Sequence, residues 1–262
     1  MKKRWLYLFL AGLLALTQAM VMAQDEEEEC DLEADTRTYS RNFDMDGCRF
    51  QTRFFSFQAG NPYWIMEPGW QVVLEGEDED EFIRVEITVL DETETVAGVE
   101  TRVIEEAEYI DGEIYEVSRN FYAICGATND IYYFGEDVDF YEDGEIVDHH
   151  GAWRAGENGA QPGIIMPGTV LEGARFYQEY AFDDEAVDRA EVMGFTEVEI
   201  DEEVYENVLM LKEGSELNED PCDFEIKLYA PGIGNIVDGD LELVEAGFIF
   251  ELKPAWPFKQ EQ

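Results

Sequence analysis

The sequence predicts an all-β protein, an antiparallel meander of about ten strands that closes into a barrel or packs as a sandwich, with little helix. Three observations support this fold class. Apolar and polar residues alternate along several segments, and Asp-Gly pairs separate those segments. Hydrophobic residues make up 45% of the chain and aromatic residues 13%. This apolar content excludes the disordered state that the high charge alone would suggest.

The amino terminus has the pattern of a cleaved secretory signal. A cationic start at residues 2–4 precedes an apolar run at residues 5–16, which is too short to span a bilayer. Val21 and Ala23 then place small residues before a cut at Gln24. The sequence therefore predicts a Sec-type signal peptide over residues 1–23 and a periplasmic or extracellular location in a bacterium. We expect no membrane anchor after cleavage.

The charge of the chain restricts its partners. The formal net charge is −45, from 62 acidic and 17 basic side chains. Such a field disfavours nucleic acid and anionic membranes, and it favours divalent cations or a basic or small-molecule partner. Salt adaptation in a halophilic organism is the alternative explanation, because high salt screens self-repulsion. We expect residues 24–36 to be an acidic, poorly ordered lead-in and residues 37–262 to form a single β-rich domain.

The strands follow from period-two alternation. In residues 82–90, the side chains of Ile83, Val85, Ile87 and Val89 share one face and those of Arg84, Glu86 and Thr88 share the other. The same alternation predicts strands over residues 99–109, 114–124, 189–200, 204–212 and 223–230. Hairpin turns are predicted at residues 110–113, 142–145 and 237–240, because Asp-Gly tolerates the positive φ of tight turns. Residues 182–193 form a weak helical pattern.

The four cysteines predict two disulfides, because an even number of cysteines in an exported chain is typical of an oxidised framework. These residues are Cys30, Cys48, Cys125 and Cys222. Three pairings are possible. We favour Cys30–Cys48, which would tie the lead-in to the first strand, together with Cys125–Cys222.

Three motifs carry a family resemblance. They are IYYFGEDVDFYEDGEIV at residues 131–147, GAWRAGENGAQPGIIM at residues 151–166 and YAPGIGNI at residues 229–236. As a set they resemble a family of uncharacterised secreted bacterial β-rich proteins, with similarity running from about residue 61 to residue 236. The resemblance implies an exported β-rich protein and no particular catalytic residue.

Both histidines of the chain lie in DVDFYEDGEIVDHH, residues 137–150. A two-residue turn at Asp143-Gly144 would oppose the residues on either side of it pairwise. The pairs nearest the histidines are then Asp139 with Asp148, Val138 with His149, and Asp137 with His150. The pattern predicts that His149 lies with apolar side chains, whereas His150 shares a face with three carboxylates.

This face is a candidate metal site. Its predicted ligands are Asp137, Asp139, Asp148 and His150. Three carboxylates suit Ca²⁺, and three carboxylates with an imidazole suit Zn²⁺ or Mn²⁺. The alternative is a solvated hairpin face whose repulsion is relieved by salt or by Arg154. A register change of one residue would separate the cluster.

A second candidate calcium site lies at residues 42–47. Asn42, Asp44 and Asp46 supply oxygen atoms at alternate positions before Gly47, as in the first half of a calcium loop. The twelfth position is Arg53, which excludes an EF-hand. A hairpin turn explains the same residues.

These observations favour an exported, acidic, non-enzymatic binding or structural protein, with Ca²⁺ or another divalent cation as the cofactor to test. The sequence contains no recognisable set of catalytic residues. Two alternatives stay open. One is a carbohydrate-directed hydrolase that uses paired carboxylates, and the other is a barrel that carries a hydrophobic ligand.

Overall fold

The computed structural model describes residues 38–53, 60–78, 81–217 and 224–249. The predicted signal peptide, the acidic lead-in, Cys30 and Cys222 lie outside the described residues. The described residues belong to one compact unit. None of them forms a helix long and apolar enough to cross a membrane.

The described chain is almost entirely β-structure, which confirms the predicted fold class. Its strands are β1 Phe50–Gln51, β2 Trp70–Asp78, β3 Glu81–Val96, β4 Val99–Ile110, β5 Glu113–Cys125, β6 Ile131–Glu142, β7 Glu145–Asp148, β8 Trp153–Arg154, β9 Gln161–Met166, β10 Arg175–Tyr177, β11 Glu179–Tyr180, β12 Asp188–Ile200, β13 Glu203–Ser215, β14 Glu225–Ala230, β15 Gly234–Asp238 and β16 Leu241–Phe248. The strand number therefore exceeds the predicted ten. The weak helical pattern yields a single 3₁₀ turn, Phe182–Asp184.

Two meanders form one antiparallel sheet. The first runs from β2 to β6 and the second from β12 to β16, and pairing of β16 with β2 joins them. Beyond β6 the sheet continues through β9 to β11, and beyond β12 it continues to β10. Along this path of thirteen strands the sheet nearly closes into a barrel. Curling in this way leaves fewer strand edges unpaired.

The two ends of the sheet meet at residues 175–180, which we call the seam. Its first half, β10, pairs with β12, and its second half, β11, pairs with β9. Between them, the Gln178 N–H donates to the Asp188 carbonyl at 2.8 Å. Gly163 of β9 lies so close that a Cβ there would be 2.2 Å from the Gln178 carbonyl oxygen. This close approach requires glycine.

Two of the three predicted Asp-Gly turns have the expected conformation. Asp111-Gly112 has φ values of 52° and 84°, and Asp143-Gly144 has 51° and 76°. The third hairpin also forms, but Asp238 pairs with Leu241, so its turn residues are Gly239 and Asp240. Asp238 therefore ends β15 as a strand residue. There it is the cross-strand partner of Lys227 on β14.

Residues 61–66 link distant loops at one end of the barrel. The Asn61 amide donates to the Pro167 carbonyl at 2.9 Å, and the Tyr63 hydroxyl donates to the Asn207 carbonyl at 3.2 Å. The Gly232 N–H donates to the Pro62 carbonyl at 2.7 Å. These contacts hold residues 61–66 against the barrel. Three side chains of this segment, Tyr63, Trp64 and Ile65, line the barrel interior.

Candidate functional site

The 137–150 hairpin keeps its predicted turn but not its predicted register. Glu142 pairs with Glu145 and Tyr141 with Ile146, as expected. A β-bulge then places Asp148, and not Val147, opposite Phe140. A bulge adds one residue to one strand and shifts every pair beyond it. The predicted opposition of Asp139 and Asp148 is therefore wrong.

Each of the four predicted metal ligands contacts a residue outside the predicted ligand set. The Asp137 carboxylate accepts from the Arg154 guanidinium at 2.6 Å, and the His150 Nε2 lies 2.7 Å from Glu185 Oε2. Asp139 Oδ1 lies 2.7 Å from Nδ1 of His149, and Asp148 accepts the backbone N–H of that histidine at 2.7 Å. In the described ranges no group of three or more His, Cys, Asp or Glu side chains is placed to hold a metal ion.

His149 therefore does not lie among apolar side chains as predicted. It is exposed at the surface, where its ring contacts the buried Asp139. Burial raises the pKa of Asp139, and the neighbouring His149 opposes that rise. Metal binding by the hairpin stays a prediction, without a preformed cluster to support it.

Asn42, Asp44 and Asp46 lie in an exposed turn. The Asp46 N–H donates to Asp44 Oδ1 at 3.2 Å, which is the local bond of an Asx turn. The Cys48 N–H donates to the Met45 carbonyl at 2.9 Å. The first contact gives the Asp44 carboxylate a structural role in the bend that precedes β1, and calcium binding there also stays a prediction.

The disulfide connects Cys48 to Cys125, with a Cα–Cα distance of 4.8 Å. Both favoured pairings, Cys30–Cys48 and Cys125–Cys222, are therefore wrong. β1 lies directly against the end of β5, where Phe50 pairs with Cys125. This strand pairing brings the two thiols together, and no sequence pattern signals it.

The barrel interior holds a cavity of about 280 Å³, which the sequence did not predict. Its apolar set is formed by Trp64, Ile65, Trp70, Val72, Ile87, Val89, Ile104, Ile165 and Ile233. Its acidic set is formed by Glu106, Glu116, Glu136, Glu179, Asp188, Glu213 and Asp238. Four tyrosines, Tyr63, Tyr122, Tyr133 and Tyr229, also line it, together with Ser118, Asn120, Gln178 and Asn235.

Strand direction brings two of the carboxyl groups together. On β4 Ile104 precedes Glu106, whereas on the antiparallel β5 Glu116 precedes Tyr122. Glu106 and Glu116 therefore lie toward the same end of this strand pair. A surface hollow of about 600 Å³ shares Glu106 and two further residues, Lys227 and Asp238, with the cavity. The cavity thus adjoins the surface at these three residues.

The five glutamates of the acidic set have raised pKa values. Burial raises the pKa of Glu106 and of Glu213 to about 7 and that of Glu136 to about 8. Burial and then repulsion from neighbouring glutamates raise the pKa of Glu116 to about 7. Burial also raises the pKa of Glu179 well above its ordinary value. These shifts share one cause, since carboxylates lose hydration inside the barrel without gaining enough positive charge.

Lys227 is the one cationic side chain among the described residues that line the cavity. Its ammonium lies 3.0 Å from Asp238 and 3.9 Å from Glu213. Four other glutamates have no Lys, Arg or His nitrogen within 4 Å in the described part of the chain, namely Glu106, Glu116, Glu136 and Glu179. The cavity therefore carries an excess of acidic groups over cations.

Three cavity-lining side chains have a polar atom without a hydrogen bond among the described residues. The Asn235 amide nitrogen donates to Asp238 at 3.3 Å, but its Oδ1 accepts no bond. Asn235 is only 8% exposed. The indole N–H of Trp64 and the amide nitrogen of Gln178 also have no acceptor among the described residues. Buried polar atoms are nearly always paired, so these three atoms mark positions where a ligand or water would bind.

A signal for this cavity is present in the sequence. Glu116, Ser118 and Asn120 alternate along β5 and all line the cavity. Alternation identifies which residues share a face, but it assigns the polar face to water by default. The assumption that a polar face is exposed to solvent fails when the interior of a barrel is itself polar.

No family model matches this chain, and no curated protein or solved structure matches it significantly. The family resemblance of the three motifs stays a prediction. The functional argument therefore depends on the cavity.

Proposed function

We propose that this chain is a binding protein that holds a small organic ligand inside its barrel. The observation that carries the proposal is the cavity of about 280 Å³, which is lined by both an apolar set and a polar, acidic set of side chains. Small-molecule sites are concave and mostly apolar, with a few polar groups that fix orientation, and they begin at roughly 300 Å³. The volume favours a small molecule over a long acyl chain.

The aromatic residues support this proposal. Ring centroids lie 5.1 Å apart for Trp64 and Tyr122 and 4.6 Å apart for Tyr122 and Tyr133. The indole N–H of Trp70 donates to the Ile233 carbonyl at 3.0 Å, which fixes that ring at the cavity. A wall of fixed aromatic rings provides a large contact area for a ligand at low entropic cost.

The test uses the fluorescence of Trp64 and Trp70 in a screen of small organic molecules, with thermal melting as a second measurement. Binding to the native state raises the melting temperature. A Ser118→Phe variant should abolish both signals, because the ring would occupy the cavity. Thr95→Phe adds the same ring at an exposed position of β3 and should bind normally. Equal binding by both variants would overturn the proposal, provided that circular dichroism shows both to be folded.

A second candidate is an acid–base hydrolase acting on carbohydrate. It is favoured by Glu136 and Glu179, whose mutual repulsion contributes to the raised pKa of the latter. Two carboxyl groups with separated protonation states are what glycoside hydrolysis requires. Turnover of chromogenic glycosides that is lost in Glu136→Gln would establish this candidate in place of simple binding.

We also propose that the protein is exported, as the pattern of residues 1–23 predicts. The Cys48–Cys125 disulfide supports the proposal, because such bonds persist in oxidising compartments. Amino-terminal sequencing of the protein secreted by its host should find Gln24 first.

A further inference from the structure

We infer that the ligand is an organic ammonium ion with an apolar body, bound with its charge among Glu106, Glu116 and Glu136 and its body against the apolar set. This inference rests on the proposed binding function and specifies the class of ligand. The cavity provides carboxyl groups for the charge of such a ligand and apolar side chains for its body.

Charge is the first argument. Seven carboxyl groups line the cavity, whereas Lys227 is the one ammonium among its described lining residues. Among the described residues, the carboxylates within 4 Å of that ammonium are those of Asp238 and Glu213. Buried carboxylates are stable when a cation pairs with them. A ligand cation would therefore supply the counter-charge that the remaining glutamates do not receive from the described residues.

Asn235 is the second and independent argument. This side chain is 8% exposed, lines the cavity, and leaves Oδ1 without a donor in the described part of the chain. An amide oxygen can accept a hydrogen bond but cannot donate one. An ammonium ion carries the N–H donors that would satisfy it, whereas an anionic ligand would meet further repulsion.

The aromatic rings are the third argument. Trp64 lies near Tyr122, at a centroid distance of 5.1 Å, and near Tyr229, at 6.2 Å. Aromatic faces attract ammonium and alkylammonium ions through their quadrupole. These rings line the same cavity as the carboxyl groups, so they are available to both the body and the charged end of such a ligand.

Affinity should depend on pH, because a bound cation favours the ionised form of the surrounding carboxyl groups. The titratable groups that line the cavity are Glu106, Glu116, Glu136, Glu179, Asp188, Glu213, Lys227 and Asp238, with Tyr63, Tyr122, Tyr133 and Tyr229. The carboxyl groups with raised pKa values release protons when the cation binds. Affinity for an ammonium ligand therefore increases from about pH 5.5 to about pH 8.5.

The experiment compares three probes that share one phenyl ring: 2-phenylethylamine, 2-phenylethanol and 3-phenylpropionate. Dissociation constants are measured by tryptophan fluorescence and calorimetry on the mature protein. We expect the amine to bind at least about tenfold more tightly than the alcohol near pH 8.5, the propionate not to bind, and the preference to shrink near pH 5.5. In Glu116→Gln/Glu136→Gln the amine should lose about tenfold or more while the alcohol is unchanged. Glu197→Gln, at an exposed position of β12, is the control.

The outcomes separate this inference from the proposed function. Equal binding of amine and alcohol, or an amine affinity that survives the double substitution, would overturn the ammonium inference and keep the binding function. If none of the three probes binds, and Ser118→Phe changes no ligand response in the wider screen, both fail.

Discussion

The ammonium of Lys227 lies 3.0 Å from the carboxylate of Asp238, its direct cross-strand partner on β15. It also lies 3.9 Å from Glu213 on β13, the neighbouring strand on the other side. Carboxylates from two strands thus flank the cation, and they raise the pKa of Lys227 well above its ordinary value despite the opposing effect of burial. This cluster stands where the cavity adjoins the surface hollow.

Replacing Lys227 by Met should destabilise the fold most at alkaline pH. Removal of the cation leaves Asp238 and Glu213 repelling each other, at a cost of about 1–3 kcal/mol. Burial raises the pKa of Glu213 to about 7, so this group is neutral at pH 5 and the cost is smaller there. Urea unfolding at about pH 5 and about pH 8 measures the difference. A cost that is independent of pH would contradict this electrostatic account.

Glu136→Gln should stabilise the ligand-free protein at alkaline pH. The pKa of Glu136 is raised to about 8 by burial, so the folded state retains a proton that the unfolded state loses near its ordinary value of 4.5. Ionisation of Glu136 therefore lowers the stability of the wild-type fold as pH rises from about 4.5 to about 8, and the Gln variant does not lose this contribution. We expect a gain of about 1–3 kcal/mol at pH 8 or above and little change near pH 4.5.

Thermal melting between about pH 4.5 and about pH 8 tests whether Glu136→Gln raises or lowers the stability of the fold. Glu197→Gln, at an exposed position, is the matched control and should follow the wild type. A lower melting temperature for Glu136→Gln at pH 8 would show that the ionised carboxylate stabilises the fold instead.

Gly163→Ala should weaken the seam. The added Cβ would lie 2.2 Å from the Gln178 carbonyl oxygen, a backbone atom that cannot rotate away. Overpacking of this kind costs about 1–3 kcal/mol or more. Gly247→Ala on β16 is the control, since nothing lies within 4 Å of its Cβ position. Chemical denaturation should separate the two variants, and equal stabilities would argue against the close contact at the seam.

Loss of the disulfide should destabilise the protein without rearranging the barrel. Cys48 and Cys125 are 77 residues apart, and closing a loop of this length is worth about 2–4 kcal/mol. The Cys48→Ala/Cys125→Ala variant should therefore melt roughly 5–15 °C lower than the wild type. Peptide mapping without reduction should find Cys48 joined to Cys125, and a Cys30–Cys48 peptide would contradict the structure.

The sequence predicted those features that depend on local backbone chemistry. Asp143-Gly144 forms the expected turn because positive φ is accessible to these residues at low cost. Alternation identified the inward face of β3, where Ile87 and Val89 line the cavity. Asp201-Glu202 turns between β12 and β13 with φ values of 49° and 67° but contains no glycine, so its sequence gave no comparable signal.

Features that depend on distant partners were not predictable in the same way. The bulge beside Phe140 changed the pairing of Asp148, although nothing in the local sequence specifies an extra residue. The Cys48–Cys125 bond follows from the pairing of β1 with β5, two strands far apart in the chain. Glu116 belongs to the interior only because the sheet curls, and a single strand contains no information about that curvature.

The seam is the place where this barrel should open most readily between two strands. Adjacent strands of the first meander share long ladders of paired residues, but here β10 and β11 hold the two edges with three and two residues. Local unfolding should therefore separate the strands at the seam more often than it opens either end of the barrel, because fewer backbone hydrogen bonds must break. Amide hydrogens of residues 177–181 would exchange with deuterium earlier than those of β4 and β5. The proposed ligand could then enter the cavity between strands, next to Gly163.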